Sequence, residues 1–177
     1  MNRFPSFKRH LSCSPLLLML VLPCLWATPP VTAAVGPDRL LALWVVDEQD
    51  QWHANYQAKI TSMLESIGHH TIPQQQLQIA MAQLSGYDAI PADSLFQQLP
   101  KGNQGLLLVR RSIKYVRKDD YYITARLLLE FRLYSPRGRL KTTFSANAVA
   151  DELDNPRASE KAWTQLTIKL TKLLKRL

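Results

Sequence analysis

The chain has 177 residues, 46% hydrophobic and 20% charged, with a formal net charge of +8 and two cysteines. Apolar content on that scale supports a core of ordinary domain size, which excludes a disulfide-stapled miniprotein and a disordered tail. The excess of cations points to an anionic partner, but only if those cations stay with the folded chain.

The first stretch reads as an export signal. Arg3, Lys8, Arg9 and His10 make a basic start, Pro15 to Ala27 is a Leu-rich apolar run, and small residues follow. A membrane-spanning helix needs about 20 apolar residues, and this run is shorter and interrupted by proline. The expected division is a signal peptide over 1–33, cleaved at Ala33 or Ala34, and a single α+β domain over 34–177. Both cysteines, Cys13 and Cys24, fall in the leader, so no disulfide, thiol nucleophile or cysteine metal site is expected beyond it. Pro23 stands where a lipidated cysteine is preceded by a small residue, so lipidation at Cys24 is not expected. The mature chain is then periplasmic, free or peripheral to the outer membrane.

Removal of the leader takes three cations with it and leaves +5. That remainder is uneven: residues 34–100 sum to −5 and residues 101–177 to +10. Asymmetry between halves marks an interaction surface more specifically than net charge does.

In chain order, Arg39 to Val46 is a short, continuous apolar run that reads as a buried strand. Asp50 then supplies an N-cap for a helix carrying Trp52, Tyr56, Ile60, Met63, Leu64 and Ile67, stopped by Gly68. His69 to Ile72 is a connector or short strand. Pro73 opens a second helix to about Ser85, and a short third helix spans about Ala92–Leu99. Strands follow from Gly105 to about Val116 and from Tyr121 to Tyr134, the second alternating apolar odd positions with mostly polar even ones. Ser135-Pro136-Arg137-Gly138 is a type I turn, after which a return strand buries Leu140, Thr142, Phe144, Ala146 and Ala148. A four-residue turn would set Tyr134 opposite Arg139 and Arg132 opposite Lys141. The earlier hairpin cannot close tightly without placing Lys114 among apolar residues or setting like charges opposite, so a longer loop or a bulge is expected there. Asp154-Asn155-Pro156 caps a final helix with Trp163, Leu166, Leu170, Leu173, Leu174 and Leu177 along one stripe. The order is β-α-(β)-α-α-β-β-β-α, an α+β fold with a mainly antiparallel sheet of about four strands packed against helices.

Chemistry-bearing motifs are sparse. His53, His69 and His70 have no Asp or Glu at ligand spacing, so no metal is expected. Asp47, Glu48 and Asp50 read as acidic residues at a helix start rather than an acid/base pair. Without a nucleophile elbow, P-loop or dinucleotide fingerprint, neither an enzyme nor a cofactor is expected. What remains is a basic, tyrosine-bearing sheet face: Arg110, Lys114, Tyr122, Arg126, Arg132, Tyr134, Arg139 and Lys141 form the candidate surface for an anionic partner. Export excludes nucleic acid and leaves acidic polysaccharide, lipid headgroups and acidic proteins.

Three segments, Leu40–Val46 with the helix after Asp50, Tyr121–Phe144 with its Gly-containing turn, and the helix from Pro156, carry a resemblance. The chain resembles the periplasmic accessory domains of the curli-secretion channel, penicillin-binding-protein activator lipoproteins, Pel-type export lipoproteins and the N-terminal domain of TolB. It differs from them at Pro23 and in the heavier segment Gln49–His53. The resemblance implies a non-catalytic assembly or export partner that contacts an envelope protein or an export machine and forms homo-oligomers. The alternative is a binding module whose basic face holds an acidic glycan or a lipid headgroup.

Overall fold

The computed structural model describes residues 40–177; the expected signal peptide, its cleavage site and both cysteines lie outside that range. The elements are β1 (Leu40–Val46), α1 (Ala54–Ser66), β2 (His70–Thr71), α2 (Gln74–Met81), α3 (Asp93–Gln98), β3 (Asn103–Arg117), β4 (Ile123–Tyr134), β5 (Leu140–Glu152) and α4 (Asn155–Leu174). This is the expected order, with the short strand after the first helix present. The sheet has five strands in the order β2-β1-β3-β4-β5 and is mixed. β1 runs parallel to both β2 and β3, because helical crossovers join them, while β3, β4 and β5 are antiparallel hairpins.

Helices cover the two faces unequally. On one face α1 and α4 bury Leu43, Val45, Leu107, Val109, Leu129 and Phe131 beneath Ile60, Leu64, Leu166 and Leu170. On the other, α2 and α3 set Leu77, Leu95 and Phe96 on Ala42, Val46, Leu106, Leu108 and Tyr134. β1 and β3 feed both clusters with alternate side chains, which is why β1 reads as a continuous apolar run. Among the described residues, the α2–α3 layer stops short, and the far halves of β3 and β4 with their stretch of β5 are left open on that side.

Several local expectations are corrected. Asp50 does not cap α1; its backbone has φ 60 and its carboxylate accepts from the Tyr87 N–H at 3.0 Å. The cap is His53, whose Nδ1 accepts from the Tyr56 N–H at 3.5 Å. α2 ends at Met81 instead of near Ser85, since the chain turns to bring Tyr87 onto the sheet. At α4 the expected cap holds: the Asp154 carboxylate accepts from the Arg157 N–H at 2.8 Å, with Pro156 in the first turn.

Both hairpins show how register follows turn chemistry. Between β3 and β4 the loop is the longer one, closed by the Lys118 N–H on the Tyr122 carbonyl at 2.9 Å. That length sets Arg110 opposite Glu130 and Lys114 opposite Arg126. Between β4 and β5, the Gly138 N–H reaches the Ser135 carbonyl at 3.0 Å, and Gly138 takes φ 75. A type I turn followed by a left-handed residue adds one residue to the return strand, so Tyr134 faces Leu140. A second irregularity at Leu133/Tyr134 adds another, and Arg132 faces Thr143 where Lys141 was expected. Two single steps restore parity, so Ala146, Ala148 and Ala150 point inward. Leu140 lies before the second step. It shares a face with Tyr134 and is exposed, contrary to expectation, as is Thr142.

β1 has an edge problem, since β2 pairs with only its first two residues. Beyond them, the buried Gln57 of α1 stands in for a strand: its Oε1 accepts from the Val45 N–H at 2.9 Å, and its Nε2 donates to the Leu43 carbonyl at 2.7 Å. The Ile72 and His53 amides serve the Leu41 and Val45 carbonyls.

Candidate functional site

The open half of the sheet is built by alternation. On this face β3 presents Arg110, Ser112, Lys114 and Val116, and β4 presents Arg132, Glu130, Leu128, Arg126 and Thr124. β5 adds Thr143, Ser145, Asn147 and Val149. At one end stands a wall formed by Tyr87 and Asp88, in the segment between α2 and α3. The Tyr87 ring lies against the guanidinium groups of Arg110 (4.6 Å) and Arg132 (4.4 Å). Asp88 bridges them, at 2.8 Å from Arg110 and 2.7 Å from Arg132, and Arg132 also donates to the Tyr87 carbonyl at 2.8 Å. Glu130 takes the other side of Arg110 at 2.8 Å. Burial pushes the Tyr87 phenol up to about 12. These two arginines are thus neutralised by the chain's own carboxylates and pin the wall to the floor.

Further along the floor the pattern reverses. Lys114 and Arg126 sit directly opposite each other across β3 and β4, and neither forms an ion pair among the described residues. Around them lie Leu128, Val116 (47% exposed) and Val149 (52% exposed). A depression of about 490 Å³ is lined there by Ser112, Lys114, Arg126, Leu128, Asn147 and Val149, with the backs of Leu127 and Ala148. Glu48 closes the β1 side. Its carboxylate accepts from the Ser112 hydroxyl at 2.7 Å and the Ile113 N–H at 2.8 Å, serving β3 where β1 has ended. The Ser112 bond leads the effects that hold Glu48 below the usual carboxylate range.

The eight candidate residues therefore do not form one surface. Arg110 and Arg132 belong to the wall. Lys114 and Arg126 share the open floor, and Tyr122 stands in the loop beyond it. Arg139 and Lys141 lie exposed at the opposite hairpin end. Tyr134, expected on the solvent side, is 4% exposed and packs on Phe96 at 6.2 Å between centroids, because α3 covers that end of the face. Glu48, Tyr87 and Asp88 are additions. No periodicity marked them, since they sit in turns whose place is set by tertiary contact. Leu128 left a signal, being the apolar exception among the even positions of β4.

The remaining candidates are dispersed. Asp47 accepts from the Gln49 and Gln51 amides at 2.9 Å each, so Asp47, Glu48 and Asp50 hold three separate backbone segments. They complement no helix start, as α1 has no acidic residue in its first turn. His53 is occupied as a cap. Among the described residues, no group of three His, Cys, Asp or Glu side chains could hold a metal ion, and no helix is long and apolar enough to cross a membrane.

This five-stranded α+β fold, with one face half covered, is shared with a bacterial lipoprotein and a bacterial hypothetical protein. A lipoprotein of Neisseria meningitidis, GNA1162, shares it with a TM-score of 0.50 at 14% identity, over 76% of this chain and 96% of that one. The hypothetical protein CT253 of Chlamydia trachomatis shares it with a TM-score of 0.51 at 11% identity, over 77% and 95%. At such identities the likeness is one of fold. The sequence matches no protein-family model and no curated protein.

Proposed function

We propose that the chain is an exported, non-catalytic accessory protein of the cell envelope that acts by protein contacts, with a polysaccharide or protein export machine as its client. The observation that carries this reading is the open half of the sheet, where apolar residues and ion-pair-free cations share a floor beside a buttressed wall. Such a surface suits docking: apolar area supplies affinity, and charge supplies selectivity and rate. Asp47, Glu48, Asp50 and His53 are each occupied in holding backbone, which supports the non-catalytic reading. The lipoprotein-like fold and the resemblance to export accessory domains support the same reading.

The test is chemical cross-linking in the producing bacterium, followed by separation of cytoplasm, periplasm and membranes. The chain is expected outside the cytoplasm and in adducts heavier than itself. Retention in the cytoplasm, or an exported chain that never cross-links to a second protein, overturns the reading. Labelling with radioactive palmitate asks separately about Cys24; with Pro23 before it, no incorporation is expected.

A further inference from the structure

The open floor has a shape and a charge that together specify an occupant. The α2–α3 layer stands beside it and rises by roughly a helix diameter, about 10 Å. The floor is therefore a step against that layer, and a planar surface resting on the layer would not reach it. From Glu130, next to the wall, to Thr124 along β4, the open floor measures about 20 Å at 3.3 Å per residue, the length of roughly 13 residues of helix. One further helix laid along the strands would complete the layer that α2 and α3 begin, and would cover Leu128, Val116 and Val149.

Charge selects among helices. At the wall, Arg110 and Arg132 already have Asp88 and Glu130. At the distal end, Lys114 and Arg126 face each other, an arrangement that destabilises a sheet unless an anion comes between. The nearby Glu48 carboxylate is held by Ser112 and Ile113; it feels the charge of Lys114 without an ion pair between them, and Arg126 has no carboxylate paired with it among the described residues. A second copy of this chain is a poor donor of the missing acid: the exposed side of α4 carries Lys169 and Lys172 around Ile168, and α2 carries glutamines. We infer that the open floor receives an amphipathic helix of another protein, with an apolar stripe for Leu128 and Val149 and acidic residues against Lys114 and Arg126. This inference rests on the reading of the chain as a protein-contact accessory and assigns the surface that makes the contact.

The probe is a synthetic amphipathic peptide of about four helical turns with a leucine stripe and glutamate flanks. Its lysine-flanked counterpart and vesicles of phosphatidylglycerol serve as alternatives, with binding to the full-length protein read by fluorescence anisotropy and co-sedimentation. The glutamate peptide is expected to bind, more weakly at high salt, and to shift the amide signals of residues 112–116, 124–128 and 147–149. The paired change Lys114→Glu with Arg126→Glu should weaken it by about tenfold or more. Val149→Glu, at an exposed position, should do likewise with an unchanged unfolding midpoint. Equal affinity for the lysine peptide, indifference to both variants, or binding to vesicles alone overturns the inference. If the glutamate peptide fails while cross-links to an envelope partner persist, the surface assignment falls and the accessory reading stands.

Discussion

Gln57 shows how much a single side chain can do at a strand edge. It is 7% exposed, and both ends of its amide are spent on the backbone of β1, where no neighbouring strand reaches. Replacing it with leucine keeps the volume and removes both bonds, so one buried N–H and one buried carbonyl lose their partners. Each such loss costs about 1–3 kcal/mol. Gln57→Leu is therefore expected to destabilise the protein by about 2–4 kcal/mol in urea unfolding. Gln57→Glu should fall short of rescue, since a carboxylate accepts from Val45 but cannot donate to Leu43. The residue is hard to find from sequence: helical periodicity places Gln57 beside Tyr56 on the buried side, but only the shortness of β2 gives it a task.

At the scale of elements, α1 begins on a titratable cap. Burial is the leading effect that lowers the pKa of His53, and its Nδ1 accepts from the Tyr56 N–H only while unprotonated. A histidine depressed in the folded state contributes stability that is present above its unfolded value, about 6.5, and is lost as pH falls through the lower folded value. Between about pH 7 and pH 5 the protein should weaken more steeply than the variant His53→Ser, which retains an acceptor that does not titrate. Thermal unfolding midpoints across that range make the comparison. Equal slopes would remove His53 from the account.

The same scale shows what sequence patterning can and cannot reach. The order of elements was readable because each carries its own period or turn: the apolar run of β1, the Asp154 cap and the alternation in β4. Registers were not, because Gly138 in the turn and Lys141 in β5 are each an extra residue that no hydrophobic pattern records. The mixed character of the sheet was hidden too, since β1 reaches β3 across more than sixty residues, with Ala42 against Leu106. Of the candidate surface, Lys114 and Arg126 could be read from alternation. The loss of Tyr134 to the core, and the neutralisation of Arg110 and Arg132, depended on a helix and a turn from the other half of the chain.

For the whole molecule, the division into an acidic first half and a basic second half is partly folded away. Asp88 from the first half sits on Arg110 and Arg132 of the second, and Glu48 lies along β3, bonded to Ser112. Contact between the halves thus neutralises part of the polarity the sequence displays. Much of the exposed cationic excess stands at three places: the open floor, the Arg139–Lys141 end and the outer side of α4. This separation explains why the sum over residues 101–177 overstates the size of any single binding surface.

The edge strand β5 and the α4 lysines that reach it have a consequence for exchange with solvent. Lys169 donates to the Asn147 carbonyl at 3.0 Å and Lys161 to the Asp151 carbonyl at 3.3 Å, so α4 closes part of the edge that β5 would offer to another strand. The innermost strand, β3, has the opposite situation: Leu106 to Val109 are fully buried and paired on both sides. Amide deuteration should therefore proceed in a gradient, slowest at Leu106–Val109 and faster toward Lys114 and Tyr115, past the end of β1. Uniform rates along β3 would contradict that order. The strand that ties the two hydrophobic clusters together is then the last to open, and its exposed extension can yield to a partner without loosening the rest.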